Sequence, residues 1–362
     1  MKKIFKYILI LFVVAVISAG ISILISKNKG AGTPDELADN SLVNRFEEPV
    51  EHSAFAGDRP VKLTTDEASF AVIAPGTNLR YYHARSGDIK EIDLVKPGTA
   101  TVVATIKPNA LNIVWSSDGN QIIAQYATGY TSADLKTKTT KSIAKNIFFP
   151  AFSQNADNVA YVYFNDTTGE GNISIADAQF KNFKNLLKTR LKEWKLQWTD
   201  QRNLSLIADV ASTKSNTLFV LDTDKGSFLQ LLENQKDLQI NWSPDGVTLL
   251  FSRRGRLGVE LGLLTMVERA PHMLGIYTDA QKCAWMPDNT AIYCAVPEKK
   301  GESDDMFVKI TVASANEKPQ KLFAAADTGF ADAQDMMYAT SASSLIYKNL
   351  KDGRLYLLSL SK

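Results

Sequence analysis

The chain has 362 residues, 45% of them hydrophobic, enough to bury a large core within one domain. Lys and Arg total 41 against 39 Asp and Glu, so the formal charge is only +2, which excludes nucleic-acid or membrane-surface binding through overall charge. Three His and two Cys leave imidazole and thiol chemistry poorly supplied.

The chain opens with Lys2, Lys3 and Lys6, then an uncharged apolar run over residues 7–25, then Lys27 and Lys29. The run approaches the ~20 residues that cross a bilayer core. It reads first as a transmembrane signal anchor. A cleaved signal peptide is the competing reading, with Ser18-Ala19-Gly20 as its small residues. That cut would leave Ile21-Ser22-Ile23-Leu24-Ile25 at the new terminus. A buried core helix fits worst, because the run has no polar face. Three Lys before the span against two after it place residues 1–6 in the cytoplasm and the remainder outside. Residues 26–58 are small, polar and charged, the composition of a flexible linker.

From residue 59 onward a short phrase recurs. It stands as Trp115-Ser116-Ser117-Asp118-Gly119 and Trp242-Ser243-Pro244-Asp245-Gly246. Weaker copies are Phe152-Ser153 with Asn155 and Asp157, Trp198-Thr199-Asp200, and Trp285-Met286-Pro287-Asp288-Asn289. The copies recur every 37 to 46 residues, the mark of a repeat architecture. Each precedes a short apolar run rich in β-branched and aromatic residues, such as Gln121-Ile122-Ile123-Ala124-Gln125-Tyr126. Asp-Gly and Asp-Asn are turn chemistry. The phrase is therefore the end of one strand, a tight turn and the start of its antiparallel partner. Trp115, Phe152, Trp198, Trp242 and Trp285 are expected to wedge between neighbouring sheets. Two further copies, residues 79–94 and 345–360, align without a gap at opposite ends of this region but lack the Trp.

Counting gives seven units, starting near Phe70, Asn112, Phe148, Lys195, Leu238, Lys282 and Asp335. Four strands in roughly 43 residues is the arithmetic of an all-β propeller. Six and eight blades are the neighbouring counts that the weaker copies permit. The last unit stops after its third strand. An orphan strand over residues 59–64 is expected to complete it and close the ring.

These phrases resemble the WD40-like, or TolB-type (PD40), propeller repeat, whose signature is an aromatic followed by Ser-Pro-Asp-Gly and a strand. The resemblance covers roughly 300 residues and implies a partner in the cell envelope. TolB-type repeats also occur beside prolyl-peptidase hydrolase domains, but here no residues are left over for one.

Cys283 and Cys294 flank the phrase of the sixth unit. If Asp288-Asn289 is the two-residue turn, they face each other at a separation a disulfide can bridge. Two buried free thiols are the other reading.

No Gly-x-Ser-x-Gly elbow, phosphate loop or His-Glu-x-x-His stands in the chain. Asp222-Thr223-Asp224-Lys225-Gly226 lacks the distal ligands of a calcium loop and reads as a turn. The basic, aromatic stretch over residues 180–194 has two readings: an amphipathic helix suited to an anionic partner, or an outer strand at residues 183–187 with a connector. Arg253-Arg254-Gly255-Arg256 is a second basic cluster.

The sequence thus leads to a membrane-anchored, extracytoplasmic propeller that binds a protein or envelope polymer, with no cofactor, no metal site and no nucleic-acid partner. A hydrolase or lyase with its site in the central channel is the alternative. Reporters fused to the C-terminus test the orientation: one that works only outside the cytoplasm should be active, and activity of a cytoplasmic reporter alone would invert it.

Overall fold

The computed structural model describes residues 60–210, 215–299, 302–315, 318–329 and 331–360. The apolar run over residues 7–25 and the linker over 26–58 lie outside the described residues. Among the described residues no helix is long and apolar enough to cross a membrane.

Seven four-stranded antiparallel sheets, the blades, account for the fold. Their first strands are Ser69–Ile73, Asn112–Trp115, Ile147–Phe152, Trp194–Trp198, Gln239–Trp242, Cys283–Trp285 and Ala333–Ala339. In the first six blades the four strands follow one another in sequence. The first strand of the seventh blade lies against that of the first blade, so the ring is closed. This order defines two rims. The turns joining first to second and third to fourth strands share one rim, here the phrase rim. The loops joining second to third strands, and the connectors between blades, share the opposite connector rim.

A four-stranded sheet with apolar residues on both faces needs a neighbour on each side. The core accordingly divides by seam. Tyr82, Ile89, Ile113 and Ile122 fill the seam between the first two blades. Ala160, Ile173, Trp198 and Leu206 fill that between the third and fourth. Leu218, Trp242 and Phe251 fill the next. The seam between the second and third blades is the thinnest, with small groups around Ile123, Phe152 and Val159 and around Ile147, Tyr161 and Ala176.

The recurring phrase builds the same device in the second, third and fifth blades. In the second blade the Ser116 hydroxyl, fully buried, donates to Asp118 at 2.6 Å and accepts the Gln121 N–H at 2.9 Å. Ser243 repeats both bonds with Asp245 and Thr248, and Ser153 does so with Asn155 and Asn158. Gly119 and Gly246 have φ of 62° and 70°. A Cβ at Gly246 would also lie 2.7 Å from the Thr199 carbonyl oxygen of the preceding blade, so glycine serves both the turn and the close approach.

The stretch over residues 180–194 forms no helix. Its outer strand is Lys184–Thr189, and the connector leads into Trp194. Phe180 at φ 58° packs on Tyr161, which holds the turn ahead of that strand.

Ring closure is made by the start of the described chain. Val61 and Lys62 pair with Leu357 and Tyr356 as the fourth strand of the seventh blade. The Leu63 N–H donates to Leu355 O, and the Leu355 N–H donates to the Thr64 hydroxyl. Leu63 and Thr64 are both buried. Asp66 then receives Tyr81 at 3.0 Å and Lys90 at 2.5 Å from the first blade. Burial raises the Asp66 carboxyl, but these two donors outweigh it and hold it below its usual value.

Leu63→Ala should cost about 2–4 kcal/mol as a buried truncation. Deleting residues 59–65 should lower the melting temperature by roughly 10 °C or more. An unchanged melting curve after the deletion would remove this strand from the closure.

Candidate functional site

A bare β-strand edge faces the centre of a propeller, so the first strands and what they carry decide what the inner wall offers. Four of the seven first strands end in the Trp of the phrase. Three of these indoles donate to a backbone carbonyl in the first strand of the preceding blade: Trp115 to Phe70 at 2.6 Å, Trp198 to Ala151 at 3.1 Å and Trp285 to Asn241 at 3.1 Å. Trp242 donates instead to the Ser205 hydroxyl at 2.8 Å. The aromatic is thus a wedge with a polar handle, more than the apolar filler that its residue type suggests.

The three first strands without Trp share another feature. Each carries a bulge: between Ser69 and Val72, between Phe148 and Ala151, and between Gln334 and Met337. The bulged residues Phe70, Phe149 and Asp335 sit at φ of 50°, 51° and 52°. Such a conformation is costly for bulky residues and persists only where its surroundings hold it. Phe70 packs near Tyr82, and the Phe149 N–H donates to the Tyr130 hydroxyl at 3.3 Å. Asp335 is exposed, yet desolvation by the surrounding wall raises its carboxyl, opposed by Lys348.

Where the seam between the second and third blades is thin, the inner wall opens into a cleft of about 420 Å³. Val114 and Asn112 come from the second blade, Phe149 and Phe152 from the third, and Lys195 and Gln197 from the fourth. Asn112, Lys195 and Gln197 are exposed. Gln154 also borders it, but its amide is committed to Thr199 O at 2.9 Å. No carboxylate, imidazole or thiol lines the cleft. Its chemistry is amide and hydroxyl hydrogen bonding, with Ser117 exposed at its edge, one cation and apolar contact, in the size range of ligand-binding clefts.

Lys195 belongs to a pattern. The residues three positions before the four Trp are Asn112, Lys195, Gln239 and Lys282, all polar. In the register of the sheets Asn112, Lys195 and Gln239 occupy equivalent places near the start of the first strands, whereas Lys282 ends a short helical turn just before its strand. Gln239 and Lys282 are spent on structure. Gln239 accepts from Gln281 at 3.1 Å. Lys282 bridges Asp305 at 2.8 Å and Asp332 at 3.0 Å across the seam between the sixth and seventh blades. Asp305 is fully buried and also accepts the Ala333 N–H at 2.7 Å. Burial pushes the Asp305 carboxyl up, with Lys282 opposing. Burial acts against the Lys282 ammonium too, but Asp305 outweighs it and holds the ammonium above its usual value.

Cys283 and Cys294 face each other in register and are joined as a disulfide, with Cα atoms 4.1 Å apart. Both are buried, so the bond is part of the sixth blade's core. Asp222 pairs with Arg202 and accepts the Lys225 and Asp224 N–H groups, which together draw its carboxyl down to about 2. That stretch is a turn closed by an ion pair. Among the described residues no group of three or more His, Cys, Asp or Glu is placed to hold a metal ion.

No protein-family profile and no curated protein sequence matches the chain. Solved structures do. Oligogalacturonate lyase from Vibrio parahaemolyticus superposes with a TM-score of 0.59 at 9% identity, over 83% of this chain and 93% of that one. The β-propeller domain of Cps50 (Swd1) from Myceliophteria thermophila gives 0.58 at 11% identity, over 84% and 100%. TolB from Acinetobacter baumannii is also similar, with a TM-score of 0.46 at 14% identity, over 80% and 66%. Identities this low establish the propeller fold alone, which serves enzymes and non-enzymes alike.

The Lys282 cluster makes a pH prediction. Lys282→Met leaves two carboxylates without their cation and should cost about 3–5 kcal/mol near neutral pH. A buried carboxylate with a raised folded pKa destabilises the fold above that pKa, and protonation relieves it. The deficit of the variant should therefore shrink as pH falls through the folded pKa of Asp305. Urea midpoints of both proteins across the acidic range check this; a deficit that grows on acidification contradicts it. In the parent protein the contribution of Lys282 is present below its unfolded pKa and lost as alkaline pH passes its raised folded value.

Proposed function

We propose that this chain is a membrane-tethered binding module whose propeller lies outside the cytoplasm and engages a protein or envelope polymer through the inner-wall cleft. The observation that carries this reading is the lining of the cleft: Asn112 and Gln197 amides, the Lys195 ammonium, and Val114 and Phe149 as apolar contacts, without a carboxylate or imidazole among them. Such a set orients a ligand and supplies no acid–base pair. The tether is the apolar run over residues 7–25, and its flanking Lys residues set the orientation. A hydrolase or lyase in the channel would need paired carboxylates, His or a metal on the inner wall. Asp335, the exposed carboxylate of the seventh blade's bulge, belongs to a different strand from those that wall the cleft.

A photo-crosslinking residue in place of Gln197, in the full chain in its membrane, tests the site. It should capture a reproducible envelope component that the same probe at Lys136, on the phrase rim, does not. Equal capture from both positions, or none from Gln197, would move the binding surface elsewhere.

A further inference from the structure

The cleft runs along the inner wall from the phrase turns at Ser117 and Ser153 to the connector-rim ends of two first strands, where Asn112 and Lys195 lie. The connector rim at that end carries an excess of cations. The connectors into the second, third and fourth blades, with the rim end of the third blade's own strands and the start of the fourth's first strand, carry Lys107, Lys145, Lys188, Arg190, Lys192 and Lys195. Against these six cations stand three carboxylates, Asp166, Glu170 and Glu193, with Asp209 as a fourth at the rim end of the fourth blade's second strand. Lys192 is paired with Asp166 at 2.7 Å and lies over the Phe148 ring at 4.3 Å. Arg190 meets Glu170 at 3.6 Å, both highly exposed, a pair worth little in water. Lys107 lies over the Tyr126 ring. Lys145, Lys188 and Lys195 are exposed and have no carboxylate partner among the described residues.

Apolar surface is interleaved with this charge. Leu111, one residue before Asn112, is 62% exposed. Val114, Phe149 and Leu196 continue the apolar surface into the cleft. The two indoles there offer a sugar no free N–H donor. Trp198 is buried, and the Trp115 and Trp198 indole N–H groups are already bonded to Phe70 and Ala151. Aliphatic spots between cations suit side chains of a polypeptide better than the hydroxylated faces of a sugar polymer. This rim is also clear of the chain's own entry. Val61 runs antiparallel to Arg354–Ser359, so the chain enters the ring on the phrase rim, the opposite one.

We infer that the connector rim over the second to fourth blades docks an acidic polypeptide segment with interspersed apolar residues, whose tip enters the inner-wall cleft. The inference rests on the binding reading given above and adds the chemistry of the partner. Long-range attraction guides the acidic segment to the rim, and the apolar contacts around Leu111 and the cleft hold it.

The test uses the full chain in detergent micelles and three labelled probes: a soluble peptide of Glu with interspersed Leu, the same peptide with Gln in place of Glu, and polygalacturonate as a polysaccharide anion. Fluorescence anisotropy should show binding of the Glu/Leu peptide that weakens several-fold as ionic strength rises. The pair Lys145→Glu and Lys195→Glu should weaken it about tenfold or more. Lys136→Glu, on the phrase rim, should leave it unchanged and shows that a charge reversal on this fold is tolerated. Equal binding of the Gln peptide, binding of polygalacturonate alone, or no binding of any probe would each overturn the inference. If the Gln197 crosslinker nevertheless captures a neutral or basic component, the binding reading survives and only the acidic partner falls.

Discussion

Every blade of this protein has two apolar faces and can cover neither of them alone. That constraint makes the ring the unit of stability: a sheet is buried only if both neighbours are in place, and the seventh must meet the first. The seam clusters show it directly. Leu79, Tyr81 and Ile92 of the first blade share a core with Ile346 and Leu355 of the seventh. The strand Val61–Lys62 is short, but it ties residues near opposite ends of the chain. A linear stack would leave two apolar faces in water, whereas the closed ring leaves none.

The phrase carries most of the inter-blade detail. Its Ser and Asp close the turn, its Gly allows the preceding blade to approach, and its indole N–H reaches a group in that blade. The phrases also touch one another around the rim. The Asp245 N–H donates to the Asn289 side chain, and Arg80 of the first blade donates to Gly119 O of the second. Where the Trp is missing, the first strand bulges, and at two of the three bulges a Phe occupies the strained position. The same economy leaves a consequence. The third blade has Phe152 in place of Trp, its seam with the second blade is thin, and the cleft opens there.

The fold was legible in residue order because turn chemistry and apolar runs are local. The spacing of the phrase counted the blades, and the orphan strand before the first unit pointed to the closure. The facing of Cys283 and Cys294 was one of two readings open in the sequence; the structure pairs them, although the loop between Met286 and Ala291 is longer than the two-residue turn expected at Asp288-Asn289. The cleft was not legible in the same way. None of Asn112, Lys195 and Gln197 stands within the phrase, and each comes from a strand that reads as ordinary. One signal was present: the polar residue three positions before each Trp of the phrase. It does not separate Lys195, without a carboxylate partner among the described residues, from Lys282, consumed by two carboxylates from elsewhere in the chain.

By itself the sequence determined the repeat and the turn residues, since each depends on neighbours a few residues apart; it pointed to seven blades and to an orphan closing strand, both of which the tertiary structure fixed. It also set the composition from which a tether is expected. Only the tertiary structure decided which polar residues are spent. Asp305 and Asp332 reach Lys282 because two blades meet at a seam, and no such carboxylates reach Lys195. It likewise gathered cations from several separate segments onto one rim, because successive connectors of a closed ring must lie side by side.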